Sequence, residues 1–253
     1  MRRYDDRSTS QLGTEMKMTR RDFLKWTSGA VSLLSPLANA MALAFEHRRK
    51  DFTFTRLQYA SGNWDTDQRM PFNLLNSLIE YTTIEVDTRE KIVSLDSPAL
   101  FGSPFCYLSG HKLVQFTARE RDNFEKYVRH GGFVFVDDCN HDIDGLFAKS
   151  FEAQLAAIFG QTALKKIPNT HRLYQSFFKF ENGPPTTAFE LNGWGDDLVH
   201  DYLKAVEIKG RIGILYSNKD YGCEWDYDFR NKRWLAEDNT KFGVNIILYA
   251  MTA

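Results

Sequence analysis

Gly131-Gly132-Phe133-Val134-Phe135-Val136-Asp137-Asp138-Cys139-Asn140-His141-Asp142 sets four bulky apolar residues between two glycines and a run of polar side chains. A short apolar run of this kind, bounded by turn residues and rich in β-branched and aromatic side chains, predicts a strand buried on both faces. Phe105-Cys106-Tyr107-Leu108, closed by Ser109-Gly110-His111, reads the same way. Between the two lies Thr117-Ala118-Arg119-Glu120, a capping box that opens a helix carrying Phe124, Tyr127 and Val128 on one face and ending at the glycine pair.

The pattern extends in both directions. Upstream, Phe52–Leu57 alternates like a strand, residues 71–81 recur at helical spacing after Pro71, and Thr83–Val86 reads as a short strand. Downstream, Leu146, Phe147, Phe151, Leu155 and Ile158 mark an amphipathic helix ending near Gly160. A hairpin through Ala205–Tyr216 and a closing helix over about Lys241–Met251 complete the chain. Strand and helix in alternation, with glycine-rich joints, define an α/β fold with a mostly parallel sheet covered on both sides.

The N-terminus is set apart from this fold. Thr19-Arg20-Arg21-Asp22-Phe23-Leu24-Lys25 fills every position of a twin-arginine export signal. A weakly apolar stretch, Trp26–Leu37, follows, and then two small-x-small sites, Ala38-Asn39-Ala40 and Ala42-Leu43-Ala44. The expected organisation is an export signal and cleavage region over residues 1–44 and a single α/β domain over 45–253. The expected location is the periplasm, with the twin-arginine translocase as partner during export. No apolar run has the ~20 residues that a spanning helix needs, so no stable transmembrane span is expected.

The first 40 residues hold seven basic and four acidic side chains of the 32 and 33 in the chain, leaving 25 against 29 beyond them. That mildly acidic balance, with no basic stripe, argues against a nucleic-acid partner. Three cysteines, Cys106, Cys139 and Cys223, cannot all pair with one another.

In open α/β sheets ligands bind beyond the carboxyl ends of the strands. His111 and Asp137–Asp142 occupy such ends, so His111, Asp137 and Asp138 are expected to face a common cleft as binding residues. Asp220, after the strand Ile212–Tyr216, points to the same edge. Trp64 and Trp225 stand beside glycine or acidic residues as ring platforms for a polar ligand, or as anchors of long loops.

The Tyr59-x-x-Gly62-Asn63-Trp64, Asn73-Leu74-Leu75, Tyr107–His111, Gly131-Gly132-Phe133 with Asp137-Asp138, and Asn245–Ala250 segments, in this order and spacing, resemble the family called domain of unknown function 4159. The likeness runs from about Phe52 to the end. It implies a flavodoxin-like three-layer α/β/α sandwich, similar in fold to class I glutamine amidotransferases, and assigns no reaction.

Several chemistries fit these residues. Cys139 lies where an amidotransferase-like fold carries its nucleophile, but its neighbours Asp138 and Asn140 are not the small residues of a sharp elbow, and nearby carboxylates raise a thiol's pKa. Asp138, Asn140, Asp142 and Asp144 alternate as in calcium loops, yet Phe151 stands where the bidentate acid belongs. A helix-capping role suits Asp144 instead. His111, Asp138, His141 and Asp142 are the candidate ligands should a divalent metal be the cofactor. Asp137, Asp138, His141 and Cys139 are the catalytic candidates. Two function classes follow: a module that binds a small polar ligand or a protein partner, or a metal-assisted hydrolase using His111, Asp137, Asp138 and His141.

The export expectation is directly testable. Replacing Arg20 and Arg21 by lysines should hold the precursor in the cytoplasm, measured by fractionation and immunoblot. Unchanged periplasmic accumulation would contradict it.

Overall fold

The computed structural model describes residues 52–226 and 234–253. The export motif, both cleavage sites and the charged connector before Phe52 lie outside these residues. Seven strands form one sheet: β1 Thr55–Gln58, β2 Lys91–Ser94, β3 Phe105–Gly110, β4 Phe133–Asp138, β5 Leu164–Lys166, β6 Lys204–Ile208 and β7 Arg211–Ser217. Their spatial order is β2-β1-β3-β4-β7-β6-β5. The first five in that order run parallel, and β6 and β5 are antiparallel additions at one edge.

The strands that run apolar throughout are the central ones. Every residue of β3 and β4 is buried, as the unbroken hydrophobic run requires when helices cover both faces. Side-chain alternation splits each strand between two cores. On one face Phe105, Tyr107, Phe133, Phe135 and Leu215 pack against α1 Met70–Tyr81, α5 Tyr221–Asp226 and α6 Trp234–Thr252. On the other, Leu108, Val134, Val136, Ile214 and Tyr216 pack against α2 Ala118–Arg129 and α3 Leu146–Phe159. The remaining helix, α4 Ala188–Leu191, is a single capped turn. The expected α/β class, with a mostly parallel sheet between helices, is what the chain adopts.

Local chemistry sets the element ends. Thr117 accepts from the Glu120 amide while Glu120 accepts from the Thr117 amide, the reciprocal cap expected at the start of α2. The second carboxylate oxygen of Glu120 accepts from the Ala60 amide and so ties that cap to the loop after β1. The β6–β7 hairpin turns on Lys209 and Gly210, both with positive φ, the geometry of a two-residue primed turn.

Three expectations change. Thr83–Val86 is not a strand; Val86 forms one bridge to Phe52, and the sheet edge is β2, where only Val93 is buried and the alternation is too polar to stand out. Asp144 does not cap α3: Gly145 holds the cap position without a side-chain bond, and Asp144 pairs with Lys149 across solvent. The segment after β7 is a helix, α5, and the closing helix begins at Trp234. No described helix is long and apolar enough to cross a membrane.

The layer on the α1/α6 side depends on aromatic packing over β3 and β4. Phe135 lies 5.8 Å from the Tyr107 ring and 5.6 Å from the Trp225 ring. Phe135→Ala should cost about 3–5 kcal/mol in chemical denaturation. A loss below about 1 kcal/mol would contradict the packed layer.

Candidate functional site

The loops after β1 and β7 lead to helices on one side of the sheet, whereas those after β3 and β4 lead to the other. Such divergence opens a crevice over the carboxyl ends of the strands between them. Its floor is the ends of β3 and β4, with Ser109 opposite Asp137 and Gly110 opposite Asp138.

Alternation separates the twin acids. Asp137 follows Phe133 and Phe135 onto the α1/α6 face, and Asp138 follows Val134 and Val136 onto the α2/α3 face. The Asp138 carboxylate accepts from the Asn140 amide and from Asn218 Nδ2. Asp137 Oδ2 accepts from the Gly222 amide at 2.6 Å, at the start of α5. The two carboxylates therefore serve different surroundings and are not a pair in one cleft.

His111 is placed apart from both. It is exposed, its Nδ1 lies 2.8 Å from Asn63 Nδ2, and Asn63 Oδ1 accepts from the backbone amides of His111 and Lys112. His141 is fully buried and turned the other way, with Nδ1 against the Asn218 carbonyl and Nε2 against the Leu198 carbonyl. Asp142 accepts from the Asp144 amide within its own turn. Trp225 is buried, stacked on Tyr221 at 5.4 Å and bonded through Nε1 to the Asn239 carbonyl, which makes it a core anchor and not a surface platform. Trp64 is half-buried against the α2/α3 core, and its carbonyl faces Arg56.

What does converge is a buried polar cluster around Gly222. Asp67 bridges two thiols: Oδ2 accepts from Cys139 Sγ at 3.2 Å and Oδ1 from Cys223 Sγ at 3.1 Å. Thr66 Oγ1 lies 2.7 Å from Ser109 Oγ and 3.4 Å from Cys139 Sγ. A Cβ on Gly222 would fall 2.4 Å from Tyr107 Oη and 2.5 Å from Asp67 Oδ2, so no larger residue fits there without displacement. Asp137, Asp220, Cys139 and Tyr107 form the buried base, and Asp67, Thr66 and Cys223 form a half-exposed rim. Of the expected binding residues, Asp137 and Asp220 share this place.

Two loops carry the rim. Buried Arg56 donates to the carbonyls of Thr66 and Asp67, pairs with Glu90 and lies over the Tyr107 ring, so one guanidinium holds the whole 64–67 turn. On the other side, fully buried Lys219 donates to both Glu190 oxygens at 2.6 Å and to the His200 carbonyl. That clamp fixes the residue before Asp220. Asp67 and Asp220 both hold positive φ, 52° and 57°, a sparsely populated conformation for a side-chain-bearing residue that marks tightly specified turns.

The electrostatics favour neutral acids. Burial, moderated by the Gly222 amide and Ser217 and reinforced by Asp67 and Asp138, raises the Asp137 pKa to about 7. Burial and then the charges of Asp137 and Asp67 push Asp220 well above the usual carboxylate range. Asp138, on the other face, rises to about 6, chiefly through burial. Burial, Asp67, Asp220 and Asp137 push the Cys139 thiol up, and burial with Asp220 and Asp67 does the same to Cys223. Both stay protonated at neutral pH, and neither hydrogen-bonds to an imidazole among the described residues. This is the opposite of an activated cysteine nucleophile.

Three buried atoms of the base, Tyr107 Oη, Asp137 Oδ1 and Asp220 Oδ2, have no hydrogen-bond partner among the described residues. Ser109 and Ser217 offset part of the electrostatic cost at Tyr107 and Asp137 without completing a bond to these atoms. An unsatisfied buried polar atom costs about 1–3 kcal/mol, so three in one cluster is a feature that calls for a function.

Fold and site together define an α/β protein with a buried acidic cluster at the carboxyl edge of a mostly parallel sheet. The chain belongs to the family described as Domain of unknown function (DUF4159), whose model matches residues 53–251. No curated protein matches it significantly.

Asp67 lay outside the sequence expectations although it follows β1 in the loop where the strand-end rule directs attention. Cys223 lies three residues after Asp220, but its link to Cys139 through a third residue has no sequence signal. Asp196 and His200, which meet His141, fall in a loop without a recognisable motif.

The Asp137 environment predicts a pH dependence. The folded carboxyl keeps its proton up to about 7, whereas the unfolded one releases it near 3.8. Folding therefore takes up a proton between these values, and stability is lost as pH rises through that window, by about 4 kcal/mol at most. Urea denaturation at several pH values should show Asp137→Asn gaining on the wild type from pH ~4 to pH ~7. Parallel curves would contradict a raised Asp137 pKa.

Proposed function

We propose that this is a periplasmic protein, exported by the twin-arginine route, that works as a ligand-binding or assembly module, with the polar cluster around Gly222 as its site. The reading rests above all on Tyr107 Oη, Asp137 Oδ1 and Asp220 Oδ2, three buried polar atoms with unspent hydrogen-bonding capacity in one place. Neutral Asp137 and Asp220 carboxyls and the Tyr107 hydroxyl are donors as well as acceptors. The occupant they suit is a small polar molecule, or a polar segment of a partner, rich in hydroxyl or carbonyl oxygens. The Asp67 rim, beside two protonated thiols, adds acceptors for its hydroxyl or amine groups.

The layer order and the strand-end position of the cluster support the flavodoxin-like, amidotransferase-like arrangement that the family resemblance implies. They do not favour amidotransferase chemistry, because Cys139 faces carboxyls. Binding is preferred to hydrolysis by His111, Asp137, Asp138 and His141 because these four side chains do not share a site.

Protein purified natively from the periplasm should carry, or be thermally stabilised by, a small polyol, sugar, amino acid or hydroxy acid, read by native mass spectrometry and by melting shifts over such a panel. Asp220→Asn should weaken the shift by about tenfold in ligand concentration, and Gly222→Ala, whose Cβ would displace Tyr107 Oη and Asp67 Oδ2, should abolish it. No bound mass and no shift, or equal shifts in both variants, would contradict the site.

A further inference from the structure

Away from the Gly222 cluster, the loop over residues 193–200 presses on the turn after β4. The Asp196 amide donates to the His141 carbonyl at 2.9 Å, and a Cβ on Gly195 would lie 1.9 Å from that same oxygen, so the two segments meet backbone to backbone. This contact brings Asp196 and His200 to the buried ring of His141. His141 Nε2 is 3.5 Å from Asp196 Oδ1, His200 Nε2 is 3.0 Å from Asp196 Oδ2, and the two imidazoles are 5.0 Å apart. One ligand atom from each of the three residues lies within 4.8 Å of the others.

The surroundings of His141 give an independent reason to expect a cation here. Its Nδ1 is 2.5 Å from the Asn218 carbonyl, the bond that commonly fixes a ligating imidazole with the proton on the far nitrogen. The Nε2 lone pair then faces the Leu198 carbonyl at 2.8 Å and the Asp196 carboxylate, both acceptors. Two acceptors at that distance call for a positive centre on Nε2, either a metal ion or a second ring proton.

We propose that His141, Asp196 and His200 bind a divalent transition metal, zinc by ligand type, with the Leu198 carbonyl or a water as the fourth ligand. Ligands about 2.0–2.2 Å from a tetrahedral zinc lie about 3.3–3.6 Å from one another; the contacts of 2.8 to 3.5 Å here run to the Leu198 carbonyl and to both Asp196 oxygens, and the three ligand atoms, within 4.8 Å of one another, draw together around the ion. The Ile143 and Leu198 amides already donate to the Asp196 carboxylate and hold it in place, as outer-shell partners do. Leu198 is exposed, so the site has an entry side. The metal's role is to staple the 193–200 loop onto the β4–α3 turn.

The test loads the full chain with zinc, removes unbound metal and counts what remains by atomic emission, with cobalt substitution for its spectrum. The expected result is about one equivalent per chain and a tetrahedral cobalt spectrum without sulfur-to-metal charge transfer. His200→Gln and Asp196→Asn should each lower zinc affinity by at least about tenfold. Should either variant fail to fold, the wild-type stoichiometry and cobalt spectrum still decide. No retained metal would overturn the proposal and leave His141 as a doubly protonated ring paired with Asp196. A cobalt spectrum with thiolate bands, or full affinity in both folded variants, would also overturn it, the first by moving the ion to Cys139 and Cys223.

Discussion

The register of β4 between β3 and β7 governs almost everything else in this protein. Asp137 and Asp138 are the last residues of a strand whose preceding four are buried on alternate faces, so the pleat that packs Phe135 toward α6 and Val136 toward α3 also sends the two carboxyls apart. A slip of one residue would exchange the faces and both cores would fail. The acids cannot be brought together without giving up the hydrophobic layers, and their separate roles follow from packing.

Carrying one of those carboxyls into a low-dielectric layer is costly, and the surrounding polar framework makes it sustainable. The Gly222 amide faces Asp137, Arg56 shapes the turn that brings Asp67 above it, and the Lys219–Glu190 pair anchors the turn that brings Asp220. Buried ion pairs of this kind contribute little net stability but are expensive to break from one side, which suits them to fixing geometry. Two acids in positive-φ turns, two thiols on one carboxylate and three unsatisfied oxygens are the features that these anchors hold in place.

Much of the fold was legible because its signals are local. The apolar runs of β3 and β4, the Thr117–Glu120 cap and the hairpin after Ala205 each follow from neighbours in sequence. β2 was not legible, since an edge strand with one buried residue carries no pattern, and α5 was hidden by its polar and aromatic mixture. At the site, the strand-end rule led to Asp137 and Asp220. It could not reveal that His111 would be taken by Asn63, that Trp225 would sink into the core, or that Asp67 would arrive from a loop some seventy residues away from Cys139. Those outcomes depend on which helix each loop leads to, and sequence spacing does not encode that.

The central claim is that buried, proton-holding carboxyls form the base of the Gly222 cluster. Carbon-13 NMR titration of aspartate carboxyl carbons tests it most directly, with the Asp137 and Asp220 signals assigned by single substitution. The account predicts two carboxyls titrating well above the ordinary aspartates near 4, Asp137 with a midpoint near 7 and Asp220 shifted strongly upward by burial. If both were to titrate with the ordinary group, the base would be charged and hydrated, and the account of the site would be contradicted.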